Sequence, residues 1–165
     1  MKTTRVLLVA ALLGCGERAP TGIAPQALLW DLPSVTATGL VQCTPLSPDS
    51  VSQTIGPLGG ALAVGPHRLF IPPGALDAPV EITAVVPADT VNRIRFEPQG
   101  LTFNRSASLT MSYANCGALT SLVPKRIAYT GDALTIVELL PSVDILFARA
   151  VTGRLQHFSD YAIAW

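Results

Sequence analysis

From about residue 50 onward, apolar side chains recur at every second position in short runs, and glycine or proline closes most of them. A period of two places alternate residues on one face of a pleated strand, so each run predicts a half-buried β-strand. Residues 51–55 give the first, stopped by Gly56, Pro57, Gly59 and Gly60; residues 61–64 follow, with a turn at Gly65 and Pro66. In residues 67–71, Leu69 and Ile71 fall on one side and Arg68 and Phe70 on the other, before Pro72, Pro73 and Gly74 end the run. Proline cannot donate to a central ladder, so that break is firm. Residues 80–86 place Val80, Ile82, Ala84 and Val86 on one face.

Further along, residues 91–96 lead into a turn at 97–100, with proline second and glycine fourth. Residues 101–103 and 108–113 are predicted as the next pair, the second with Leu109, Met111 and Tyr113 aligned. Runs at 126–129, 134–140, 145–151 and 157–165 complete the series. Roughly nine or ten short strands at this spacing predict an all-β fold, an antiparallel β-sandwich.

Composition agrees with a packed body. The chain has 165 residues, 49% hydrophobic and 13% charged, enough for one domain with a sizeable core. Its 11 basic and 11 acidic residues leave no electrostatic footprint for nucleic acid.

The N-terminus departs from the strand pattern. Lys2 and Arg5 precede an apolar run over residues 6–13, the layout of an export signal too short to span a bilayer as a helix. Leu12, Leu13, Gly14 and Cys15 resemble the bacterial lipobox, where a peptidase cuts before a cysteine that carries lipid. The other reading is an ordinary cleaved signal with an incidental cysteine, which would make the protein periplasmic or secreted. The lipobox reading divides the chain into a signal at 1–14, a lipid-anchored tether at 15–42 and a domain at 43–165. Gly16, in place of an aspartate that would retain the protein at the inner membrane, points to the outer membrane of a bacterial envelope. Within the tether, the apolar cluster at 27–32 with Trp30 reads equally as a brief helical turn or as a segment packing back on the domain.

With Cys15 given to lipid, Cys43 and Cys116 remain as a pair in an oxidising compartment, and a disulfide between them is expected; two separate buried thiols are the alternative. The two histidines, His67 and His157, lack metal-ligand spacing with the cysteines, and neither a metal nor a cofactor is expected. No G-x-S-x-G, H-E-x-x-H or phosphate loop occurs, so catalysis on an outside substrate is not expected.

Gly59 and Gly60, the run from Leu69 through Ile71, Pro72, Pro73, Gly74, Ala75 and Leu76, and then Pro98, Gly100, Leu101, Thr102 and Phe103 together resemble the ZU5 domain family. That family is a β-sandwich interaction module in ankyrins, netrin receptors and death-domain proteins, with related domains in bacterial envelope proteins. The resemblance implies a fold and a binding role, with an envelope protein as partner. It also draws attention to His157, Phe158 and Ser159, which resemble a site where some relatives cleave themselves before the serine. The plainer reading is structural, with Phe158 in the core. Three further expectations can be separated by structure. A surface-polymer binder would need an aromatic platform, for which Trp30, Tyr113, Tyr129 and Tyr161 are the candidates. An outer-membrane barrel, suggested by Tyr161, Ile163 and Trp165, conflicts with the short strands and the low aromatic content. A protein-interaction module on a lipid anchor fits the most features.

Overall fold

The computed structural model describes residues 39–117 and 123–165. Cys15 and Trp30 lie outside the described residues. Among the described residues, eleven strands form two antiparallel sheets. The six-stranded sheet has the order β1 (Asp49–Ile55), β4 (Val80–Val86), β5 (Arg93–Glu97), β11 (Asp160–Ala164), β7 (Arg126–Thr130), β8 (Ile136–Leu139). In the five-stranded sheet the order is β2 (Gly60–Val64), β3 (His67–Ile71), β6 (Thr102–Ser112), β10 (Ala150–His157), β9 (Ser142–Ile145). The architecture is the expected β-sandwich.

Alternation along the strands builds the core. β3 contributes Leu69 and Ile71, β4 Ile82, Ala84 and Val86, and β6 Phe103, Ala107, Leu109 and Met111, all buried. At the centre Phe158 stacks on Phe96 at 4.8 Å between ring centroids and meets Phe103 edge-on at 5.0 Å. Such aromatic contacts add about 0.5–1.5 kcal/mol beyond the area they bury. The crossing from β1 to β2 depends on Gly59, whose φ is +73° and whose missing Cβ would collide with the Ile71 carbonyl. Only glycine tolerates both demands.

Several boundaries differ from the sequence reading. Residues 101–103 and 108–113 fall on one strand, β6, which carries the polar interval with Asn104 and Arg105 both exposed and with a register shift in its pairing to β10. The run 145–151 is the end of β9, a 3₁₀ turn at Leu146–Ala148 and the start of β10, broken by Arg149 in the left-handed region at φ 49°. The run 157–165 reverses at Phe158 and Ser159 and divides between β10 and β11. The body also begins earlier than residue 43: Leu40 bridges Ala164, the Val41 N–H donates to the Ile163 carbonyl at 2.9 Å, and the Val41 side chain is fully buried.

The Cys43–Cys116 disulfide is present, spanning 73 residues. It joins the leading segment to the end of β6. Around it Asn115 Nδ2 donates to the Thr44 carbonyl at 2.6 Å and to Asn92 Oδ1 at 2.9 Å, so the end of the sandwich is cross-tied by polar contacts as well.

Candidate functional site

The surface with the most distinctive chemistry is the outer face of the five-stranded sheet, and it originates in one corner of the chain. After β8 the chain leaves the first sheet at Leu140 and Pro141 and joins the second as β9. Backbone N–H groups near the start of β7, past the end of β8, still need acceptors. Side chains of β9 supply them: Ser142 Oγ accepts from the Ile127 N–H at 3.0 Å, and Asp144 Oδ2 accepts from the Lys125 N–H at 2.7 Å. Asp144 Oδ1 also accepts from the Tyr113 hydroxyl at 2.7 Å. Burial, and after it this contact, push the Tyr113 hydroxyl well above the usual phenol range.

Because a strand alternates with period two, turning Ser142 and Asp144 inward turns Val143 and Ile145 outward, where they are 66% and 49% exposed. The usual arrangement of an edge strand is thereby inverted. Gly153 on β10 permits the close approach, since a Cβ there would lie 3.1 Å from Ile127 Cδ1 and 3.2 Å from Ser142 Oγ. A Gly153→Val substitution is expected to destabilise the protein by about 2 kcal/mol through overpacking, measured by urea unfolding. An unchanged midpoint would show that the corner yields instead.

Across the rest of this face the outward positions are hydroxyl-rich. β6 presents Ser106, Ser108, Thr110 and Ser112 in alternation, with Thr110 Oγ1 2.8 Å from Thr152 Oγ1 on β10. β3 adds Arg68 and Phe70, the latter 52% exposed, and β10 adds Arg154. No carboxylate projects outward from the five strands. Three depressions share Ser108: one between Phe70, Arg105 and Arg154, one between Ala61, Arg68 and Thr110, and a groove of about 890 Å³ running to Glu138 and His157. The face is cationic, partly apolar and ridged.

The residues singled out from sequence distribute differently. Tyr113 and Tyr161 are buried and do not form an exposed platform; Tyr161 donates to the His157 carbonyl at 2.6 Å, and burial raises its pKa. Tyr129 is half-buried and meets the His157 ring edge-on at 5.1 Å. Among the described residues the exposed aromatics are Phe70 and Phe147. Sequence alternation puts Phe70 on the side opposite Leu69 and Ile71, but it misses the hydroxyl series on β6; its signal, S-x-S-x-T-x-S over 106–112, is visible once the strand is read as continuous. His67 is buried in the body, with Nδ1 accepting from the Ser112 N–H at 3.1 Å.

His157, Phe158 and Ser159 sit together at the β10–β11 reversal. The Phe158 carbonyl accepts from the Gly100 N–H at 3.0 Å, and His157 Nδ1 lies 3.3 Å from the same oxygen, a hydrogen bond only when Nδ1 carries the proton. His157 thus addresses the carbonyl and makes no hydrogen bond to Ser159 among the described residues. It lines the large groove, whereas Ser159 lines a separate depression with Asp160 and Thr130. The neighbouring carboxylate is already engaged: Asp160 accepts two bonds from Arg95, at 2.8 and 2.7 Å, and one from Gln99. Arg95 holds it below the usual carboxylate range, which makes it a weak base. An N-to-O acyl shift needs the hydroxyl deprotonated as it attacks. The expected result is a purified domain of unbroken mass, identical in pattern to a Ser159→Ala variant; a fragment pair split before Ser159 would show that this ground-state geometry rearranges to a reactive one.

No protein-family model matches the chain, and no curated protein matches it.

Proposed function

We propose that this chain is a lipid-anchored protein of the bacterial envelope, held through Cys15, whose sandwich binds another protein and performs no catalysis. The observation that carries the binding role is the outer face of the five-stranded sheet, where half-exposed Phe70 is flanked by Arg68, Arg105 and Arg154 without a competing carboxylate. Aromatic and arginine side chains are the types that most often anchor protein interfaces. A partner presenting acidic and apolar side chains fits this surface. The likeness to ZU5 modules points the same way, and the disulfide suits the oxidising compartment that the N-terminal signal implies. Burial of Tyr113 and Tyr161 weighs against the surface-polymer alternative, which would use stacked aromatic rings on an open face.

A photoreactive amino acid placed at Thr110 tests this in intact cells, with one at Ser52 on the other sheet as control. A discrete protein adduct is expected from Thr110 and none from Ser52. Phe70→Asp should reduce that adduct at least tenfold, equivalent to about 1.4 kcal/mol or more of binding. Capture of polysaccharide in its place, or equal labelling from both positions, would sink the reading.

A further inference from the structure

At the end of the sandwich, β9 runs into a 3₁₀ turn, and residues 145–148 read Ile-Leu-Phe-Ala. Phe147 is as exposed as in an isolated peptide, at 104%, and Ile145 and Leu146 are partly exposed beside it. Four consecutive apolar residues at a projecting turn are unusual for a surface facing only water. The charges that bracket them are turned away. On one side Asp144 accepts inward bonds from Tyr113 and Lys125; on the other the Arg149 guanidinium donates to the Cys116 carbonyl. The tip is also held in shape, by the Arg149 N–H to the Leu146 carbonyl at 3.1 Å and the Tyr113 N–H to the Arg149 carbonyl at 2.8 Å. It is therefore a preformed apolar projection with no charge at its apex.

The position of this projection indicates what covers it. The chain enters the described body at Gly39, where the Trp165 N–H donates to the Gly39 carbonyl, and Trp165 packs on Lys125, whose own N–H is bound by Asp144 just ahead of the tip. The disulfide and Arg149 lie at the same end. Only 23 residues lie between Cys15 and Gly39, a reach of at most about 85 Å when fully extended. A lipid on Cys15 would keep this end of the body close to the bilayer at high effective concentration.

We propose that Ile145, Leu146 and Phe147 form a membrane-docking tip that enters the outer part of the bilayer, so that the anchored domain rests on its tether end and holds the five-stranded face accessible at its side. The orientation rests on the lipid-anchor reading above, whereas the tip's affinity for lipid does not. Shallow insertion of an aromatic and two aliphatic side chains is weak alone and becomes effective beside a second attachment. A bilayer suits the tip better than a protein groove does because a fluid surface accepts a convex projection without a complementary shape.

The experiment uses the full chain as processed by the cell, reconstituted into phosphatidylethanolamine and phosphatidylglycerol vesicles containing a phospholipid with a photoreactive group near its glycerol. After irradiation and digestion, lipid adducts are expected to concentrate in the peptide spanning 143–149. They should fall at least fivefold in a Leu146→Ser, Phe147→Ser double variant, whose changed side chains are both exposed. The same digest gives the mass of the peptide carrying Cys15. An unmodified cysteine defeats the anchor reading alone, and adducts at 143–149 on that unanchored protein with the same vesicles still uphold the tip. Labelling absent from 143–149, or spread evenly over the surface, overturns the proposal.

Discussion

Replacing Cys43 and Cys116 with serine is expected to lower the stability of the domain by about 4 kcal/mol. The bond closes a loop across 73 residues, and confining the unfolded chain over that separation removes loop entropy of this order. Its location makes the loss local in the folded state as well. Cys43 stands on the segment that brings Val41 into the core, and Cys116 follows Tyr113 at the end of β6. The Asn92, Asn115 and Thr44 contacts remain after reduction, so the variant should keep the sandwich fold at neutral pH. With a urea dependence of about 1–3 kcal/mol per molar, the midpoint should fall by roughly 2 M. Adding reductant should move the native protein to the variant's curve and leave the variant where it is. Coincident curves for oxidised and reduced protein would show that the bond contributes nothing.

What could be read from the sequence depended on whether a strand obeyed the ordinary rule of apolar inside and polar outside. β4 does, with Ile82, Ala84 and Val86 inside; β3 keeps Leu69 and Ile71 together on the inner face opposite Arg68 and Phe70, as alternation predicts, but it breaks the rule twice, with His67 buried and Phe70 exposed. β9 does not: its polar Ser142 and Asp144 turn inward to accept the N–H groups of Ile127 on β7 and of Lys125 just before it, fifteen and nineteen residues earlier. Nothing local announces that demand, and the apolar run 145–151 reads as one strand although Leu146–Ala148 form an exposed 3₁₀ turn. The reversal at Phe158 and Ser159 was hidden for a similar reason. It contains neither glycine nor proline, and its bend is set by the Phe158 ring between Phe96 and Phe103 and by backbone bonds to Gly100 and Leu101.

The candidate binding face was legible in part. Phe70 and Arg68 could be placed opposite Leu69 and Ile71 from periodicity alone. Their association with Ser108 and Arg154 could not, because it requires the register of β3 on β6 and of β6 on β10, where Phe70 stands opposite Ser108 and Ser108 opposite Arg154. Pairing of this kind is a property of the whole sheet. The aromatic candidates show the converse: Tyr113 and Tyr161 looked available as isolated tyrosines, yet each is consumed in the core with its hydroxyl bonded to an internal acceptor.

Mild acid should destabilise the domain through His67. The imidazole is wholly buried on β3; Nδ1 accepts the Ser112 N–H, while Nε2 has no partner among the described residues, so a charge there is unsolvated. Burial lowers the pKa from the usual 6.5 to about 4. Above pH 6.5 the residue is neutral in both folded and unfolded chains and has no effect. Between 6.5 and 4 the unfolded chain binds a proton that the folded one refuses, so stability falls with pH, reaching a loss of roughly 3 kcal/mol near pH 4. Asp160 acts in a lower window. Its pKa is depressed from 3.8 by Arg95, and its contribution is lost only as pH falls below that value. Urea unfolding at pH 7.0, 5.5 and 4.5 separates the two. A His67→Asn variant, in which Oδ1 can accept the Ser112 N–H, should lose most of the slope above pH 4.5 even though the smaller side chain costs it stability at pH 7. Parallel slopes for variant and native protein would mean that His67 takes up its proton in the folded state, and that the vacant Nε2 position admits water.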